Sequence, residues 1–283
     1  MSAAVAATRT RRAGPGWRLA TGGTIVVVLV AVALLSLVWT PAIPTKLDIA
    51  ARLRPPLQGG LFGTDQLGRD VLSLLMAGAV NSLAIAAAAV TIGASAGTVL
   101  GLVAAARRGW IDGLLMRAMD VVFAFPPILS AMMLAGLLGT GMTNAIAAIA
   151  VFMVPVFARV TRGAAMRILA RDYILAARGA GKSGPRIAIE HVLPNISGDL
   201  IVQATIQLGL AILTEAGLSF LGLGLAPPAP SWGRMLADSQ TYLGTAPWLA
   251  IAPGLAIATA VLGLNLLGDG LRDRLDPRRD LAR

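Results

Sequence analysis

The run RDYILAARGAGKSGPRIAIEHVLPN, Arg171 to Asn195, gathers most of the residue types in this chain that could grip a partner or do chemistry. Asp172 can accept hydrogen bonds from the free amides of a helix starting at Tyr173, and Gly181 can end that helix in a left-handed turn. At 100° per residue Tyr173, Ala176, Ala177 and Ala180 share one shallow apolar face. Gly184 and Pro185 restart the chain, and the second helical piece is expected to run to about Val192 before Pro194 stops it. GAGKS looks like the tail of a phosphate-binding loop, which requires G-x-x-x-x-G-K-[ST] between a strand and a helix. Counting back from Gly181, the first glycine position holds Ala176, the preceding residues read as helix, and Pro185 crowds the exit. Nucleotide binding by this segment is therefore set aside. A short helix with a small apolar face suits a groove on another protein.

Other chemistry is thin. The chain has no cysteine and one histidine, His191, which excludes disulfides and thiol nucleophiles and leaves no Cys/His set for zinc; no metal or cofactor site is expected in it. Glu215 is the one acid deep in an apolar run, with Gln203 and Gln207 nearer one end of that run. It reads equally as a residue of a translocation path or as an interhelical hydrogen bond, with Gln207 beside it in either role. No second intramembrane acid or histidine completes a proton relay. A membrane enzyme would need a convergent cluster of acid, base or metal ligands. A self-sufficient secondary transporter would need inverted repeats with broken helices and ion-coupling groups. Neither pattern is evident.

The elements that position these residues are membrane helices. Of the 283 residues 56% are apolar and only 13% charged, against about 25% charged in soluble domains, so the expected class is an all-α integral membrane protein. Six stretches are long enough to cross about 30 Å of hydrocarbon: Leu19 to Trp39, Val80 to Ala106, Met119 to Leu138, Thr143 to Val160, Leu200 to Leu223 and Ala246 to Leu267. The first exceeds the core of a secretory signal and reads as an uncleaved span. GTGMT joins the third and fourth into an expected hairpin. Residues 1–18 then form a basic cytoplasmic tail, 19–40 the first span, 41–79 an extracytoplasmic loop, 80–268 a five-helix core containing a cytoplasmic loop over 161–197, and 269–283 a cytoplasmic tail. Most of the 24 Lys and Arg fall on the segments this arrangement puts inside, which orients both termini to the cytoplasm. The basic excess is thereby accounted for without nucleic acid.

Two patterns concern packing. Gly93, Gly97 and Gly101 recur every fourth residue and expose bare backbone on one face of the second span. Pro126 and Pro127 remove two donors from the third and should bend it, which lipid tolerates only where other helices or water satisfy the freed carbonyls.

At Asp172 to Asn195 the chain resembles the EAA loop of permease subunits of ATP-binding-cassette importers, in particular the C-type subunit of dipeptide, oligopeptide and nickel systems. GTDQLGRDVLS (Gly63 to Ser73), MRAMDVVFAFPP (Met116 to Pro127), EAGLSFLGLGLAPPAPSWGRML (Glu215 to Leu236) and LNLLGDGLRDRLDPR (Leu264 to Arg278) are similar to that subfamily in order and spacing. The likeness covers about Gly60 to Arg279. It implies a type I importer permease fold of six transmembrane helices, with Asp172, Tyr173, Ala176, Ala177, Arg178 and Gly181 on a coupling helix that fits a cleft in a cytoplasmic ATPase. It implies as partners a second, B-type permease, two ATPase subunits that bind ATP and Mg, and an extracytoplasmic substrate-binding protein, in a bacterial plasma membrane. Peptide is the implied cargo, with nickel or glutathione as alternatives. Leu175 stands where the family usually has the glutamate of EAA, and Leu74 and Val80 where arginines are frequent. Thr64, Asp65, Pro227, Pro228 and Pro230 read as caps and loop stiffeners rather than as solute contacts.

Overall fold

The computed structural model describes residues 16–275, and among them the chain is helical, with a single isolated β-bridge between Thr64 and Asp70. The outermost parts of both expected tails, 1–15 and 276–283, lie outside the described residues.

A 36-residue helix, α2 (Val71–Ala106), forms the central post. It begins within the segment the sequence assigns to the 41–79 loop. The Asp70 carboxylate accepts hydrogen bonds from the Ser73 amide and hydroxyl, both 2.7 Å, and so supplies the cap that lets the helix start there. Against α2 lies α5 (Met142–Leu169), which runs past the expected end at Val160. A Cβ added at Gly93 would sit 2.3 Å from the Met153 Cβ, at Gly97 2.5 Å from the Val154 carbonyl oxygen, and at Gly101 2.5 Å from that of Ala158. The two backbones touch at every turn of this face.

A second seam of the same kind joins α1 (Gly16–Ser36) to α10 (Trp248–Leu275). Side chains at Gly22, Gly263 or Gly270 would meet the Leu267 amide, Ile25 or the Leu19 amide at 2.4–2.5 Å. The helix α10 extends into the segment expected to be the C-terminal tail.

Between α2 and α5 the chain forms α3 (Trp110–Ala124) and α4 (Pro127–Leu138), set at 89° to one another. The single bent helix expected over Met119 to Leu138 is thus a broken pair. Pro126 and Pro127 cannot donate to the preceding turn, and Phe125 takes extended geometry (φ −96°, ψ 138°) between the two helices. Among the described residues five helices are long and apolar enough to span a membrane, and six if the bent pair counts as one span.

After α5 come α6 (Asp172–Gly179), α7 (Gly184–Ile187), a π-helical turn at Ala188–Val192 and α8 (Leu193–Phe220). Pro194 does not stop the second piece. In a regular α-helix its ring would press on the carbonyl four residues back; the π turn widens the spiral, with the Leu193 amide bonding to the Ala188 oxygen, and the helix runs on.

At the end of the bundle away from α6, residues 37–70 fold into a compact cap. Asp65 holds it, its carboxylate accepting from the Leu67 and Arg69 amides (2.8 Å each) and from the Arg69 guanidinium (2.6 Å). Gly68 has φ +74°, and a Cβ there would strike the Asp48 carbonyl. Only glycine closes this loop. The short helix α9 (Trp232–Ser239) is driven into the same end: Trp232 is buried and donates through Nε1 to the Leu75 carbonyl at 3.1 Å.

Gly97→Ala is expected to lower the melting temperature of the detergent-purified protein by about 5 °C or more, because neither backbone can retreat alone. Gly163→Ala, on α5 with nothing within 4 Å of the added carbon, should change it by less than about 2 °C. Thermal unfolding of the two variants side by side checks this.

Candidate functional site

The 171–195 segment forms a small, well-held platform at the end of the bundle where α2 and α5 stop and α8 starts. α6 begins at Asp172 itself, one residue earlier than expected. Arg171 holds the cap position without a side-chain cap bond, and Asp172 supplies a negative charge to the first turn, where the helix dipole favours it. At the other end Gly181, φ +80°, takes the left-handed position. Its amide bonds to the Arg178 oxygen (2.9 Å) and the Lys182 amide to the Ala177 oxygen (3.1 Å), the paired closure of a Schellman motif.

The orientation of α6 is set by a residue the sequence reading did not single out. Ile174 is fully buried in a cluster with Ala105 of α2, Ala164 and Ala165 of α5, and Ile187, Val192 and Ile196. Ala177 turns partly toward the same cluster. Consequently the face left open is made by Tyr173 (46% exposed), Leu175 (62%), Ala176 and Ala180, not by the Tyr173–Ala176–Ala177–Ala180 set alone. Leu175, where the resemblance expects a glutamate, is therefore an apolar point on the outward ridge. Arg178 is also exposed.

The helical run 184–220 is 37 residues long, about 55 Å, against about 30 Å of hydrocarbon, so its charged first turns stand clear of the apolar slab. There a clamp closes the loop after α6. Lys182 Nζ donates to Glu190 Oε2 and Arg186 Nε to Glu190 Oε1, each at 2.6 Å. These two hydrogen bonds, Lys182's first, hold the Glu190 carboxyl down to about 2. Lys182 Nζ also lies 3.0 Å from His191 Nε2, and the Tyr173 ring meets the His191 ring edge-on at 6.2 Å. Both helical pieces are thus tied into one unit. GAGKS follows a helix and leads into a four-residue helix, which is not the strand-to-helix setting of a phosphate loop.

Further ion pairs brace this end. Arg162 of α5 grips Asp112 of α3 with two prongs, Nη2 to Oδ2 at 2.6 Å, and Arg167 of α5 meets Asp199 of α8 at 3.1 Å. Arg159 of α5 pairs with Asp120 of α3.

Glu215 and Gln207 lie far from α6. Both are buried in the single chain, Glu215 completely. The Ser219 hydroxyl donates to Glu215 Oε1 at 2.7 Å, and the hydroxyls of Ser82 and Ser231 face the same carboxyl. Since Ser82 and Ser231 accept from the Trp232 and Arg234 amides, their protons are free to point at it. Gln207 Oε1 and Glu215 Oε2 have no hydrogen-bond partner among the described residues. Ser82 and Ser231 stand too far from Glu215 in sequence to leave a local signal, whereas Glu215 and Ser219 are four residues apart, the spacing of neighbours on one helix face.

A bundle of long apolar helices that carries a rigid, partly apolar helix on one end has the form of a polytopic membrane protein built to engage a partner there. Comparison with known proteins agrees. Residues 97–281 match the family described as binding-protein-dependent transport system inner membrane component. The chain is 40% identical over 262 residues to the dipeptide transport system permease protein DppC of Alkalihalophilus pseudofirmus, covering 92% of this chain and 86% of that protein. It is 44% identical over 266 residues to the di/tripeptide transport system permease protein DppC of Pseudomonas aeruginosa, covering 92% and 88%. It is 44% identical over 223 residues to the glutathione transport system permease protein GsiD of Pectobacterium atrosepticum, covering 79% and 74%. The chain belongs to the binding-protein-dependent transport system inner membrane component family. It is a multi-pass membrane permease subunit of an ATP-binding-cassette importer.

Ile174→Ala removes the buried anchor of α6, at about 2–5 kcal/mol for such a truncation. Hydrogen exchange of the α6 amides should speed up about tenfold or more, whereas Leu175→Ala should leave it within about twofold.

Proposed function

We propose that this chain is one of two permeases of a peptide importer in a bacterial plasma membrane, paired with a B-type permease so that solute crosses between them. Both termini and the α6–α7 platform face the cytoplasm, where two ATPase subunits carry ATP and Mg; a substrate-binding protein delivers cargo on the other side. The charge distribution supports this orientation. Lys and Arg concentrate on the segments around α6, the α2–α3 turn and the two ends of the chain.

The observation that carries the reading is the outward ridge of Tyr173, Leu175, Ala176 and Ala180 on a helix locked to the bundle through Ile174. A ridge of that kind fits a cleft in an ATPase and passes its displacement to α2, α5 and α8 without a soft joint. Closure of the ATPases around ATP then favours one arrangement of the permease pair, because nucleotide is bound more tightly in that arrangement, and hydrolysis restores the other. This chain performs no catalytic step. Gln207 and Glu215 meet solute only if α8 and α9 part from α2 during that change.

Peptide is the favoured cargo because the relatives that match nearly the whole chain are named for dipeptides and di/tripeptides. Glutathione, itself a tripeptide, is the second reading, favoured by the shorter match.

A single cysteine at Ala176, introduced into this cysteine-free chain, should cross-link to a co-expressed ATPase subunit in the intact complex. No cross-link from Tyr173, Leu175, Ala176 or Ala180 would end the coupling assignment. Proteoliposomes holding the full complex should take up radiolabelled dialanine with ATP; uptake of glutathione alone would favour the second reading.

A further inference from the structure

Two features that lipid tolerates poorly sit side by side on the exposed face where α3 meets α5. The first is the Asp120–Arg159 ion pair. Its side chains are 63% and 45% exposed, and the Arg159 guanidinium stacks 4.3 Å from the Phe123 ring centroid. Its depth is fixed by the glycine seam: Gly101 lies against the Ala158 oxygen, the Thr161 Cβ and the Arg162 amide, level with Arg159. Gly101 is six residues short of Arg107, where the apolar run of α2 ends, so the pair lies beside apolar helix, about 9 Å before that run ends. Ionised groups at such positions face a bundle interior or a water-filled cavity, because hydrocarbon excludes them.

The second is the break one turn further along. Pro126 and Pro127 have no N–H, so the Val122 and Phe123 carbonyls lose the donors a continuing helix would supply. Ala124 and Phe125 at the break are exposed. Open backbone at membrane depth occurs only where protein or water covers it. By contrast the outward face of α1, with Val27, Val28 and Leu34 exposed and no charge beside them, has the character of a lipid-facing surface.

From these juxtapositions we infer that the exposed face where α3 and α5 meet, carrying Asp120 and Arg159, with the open backbone at Ala124 to Pro126, lines the watery solute path and that its ion pair engages the charged ends of a peptide. The inference rests on the peptide-importer reading above. The chemistry matches a zwitterion: Asp120 accepts from the α-ammonium group, and Arg159 donates to the α-carboxylate in the planar two-pronged manner of guanidinium. The two groups satisfy each other while the path is empty. A passing peptide exchanges one ion pair for two, which holds it briefly without a desolvated site to trap it.

The chain's lack of cysteine makes the test direct. In the complete complex in proteoliposomes, with binding protein and ATP, a single cysteine replacing Ala124 should react with a charged, membrane-impermeant methanethiosulfonate, and dialanine should slow that reaction at least about threefold by occupancy of the path. Val28→Cys serves as the lipid-facing reference and should stay unreactive. Asp120→Asn with Arg159→Gln removes both charges at nearly unchanged size, and should cut dialanine uptake about tenfold or more in a complex that still co-purifies, the loss expected when the charged contacts to the peptide ends are gone. An Ala124 cysteine as inert as that at position 28, one reached by the reagent but indifferent to dialanine, or full uptake by the neutral pair would each overturn the inference. A wild-type complex that imports no peptide fails the earlier reading first; one that imports dialanine while the Ala124 cysteine stays inert overturns this inference alone.

Discussion

Backbone-to-backbone contact between α2 and α5 is the constraint on which the rest of this structure depends. In hydrocarbon there is no hydrophobic drive to bring two helices together, so association relies on close van der Waals packing. Gly93, Gly97 and Gly101 provide it, bringing the Val154 and Ala158 carbonyls to distances where no Cβ fits. The seam ends one turn before Ala105, and Ala105 is part of the cluster that receives Ile174. The same contact that pairs the two helices therefore shapes the seat of α6. At the α1–α10 seam Gly22, Gly263 and Gly270 repeat the device, and the Arg18–Asp269 pair closes its end.

Polar groups divide the remaining labour. Where they are buried they tie local structure: Glu215 accepts from Ser219 one turn further along α8, and Asp65 holds the turn at Leu67 to Arg69 that leads into α2. Where they are exposed, as at Asp120 and Arg159, they pair across two helices and leave their remaining bonding capacity to water or another molecule. The broken α3–α4 pair likewise leaves backbone carbonyls without helical donors. It lies beside a packed post of α2, α5 and α8.

Periodicity and spacing carried much of this into the sequence. The glycine spacing of the second span, the helix closure at Gly181 and the disruption at Pro126 and Pro127 were legible because each depends on residues within a turn or two of one another. The start of α2 was misplaced because a span of about 20 residues was sought where the helix has 36, although Asp70 followed by Ser73 carried the cap signal. Pro194 misled because a π turn can absorb a proline that an α turn cannot. The exposed face of α6 depended on Ile174 meeting Ala105, Ala164 and Ile196. Likewise the environment of Glu215 draws on Ser82, Ser219 and Ser231. Apart from the four-residue step from Glu215 to Ser219, neither set has a local spacing to betray it.

If α6 is welded to the helical post, the distance between spin labels at Ala176 and at Val103, the latter on the exposed side of α2 near the Ile174 seat, must survive the transport cycle. Measured by pulsed electron resonance in the complete complex, it should agree within about 2 Å between the nucleotide-free and ATP-bound states, no more than the shift of a packed helix. A change approaching one helical turn, about 5 Å, would mean that α6 slides on its seat, and the platform would then be a flexible tether rather than a lever.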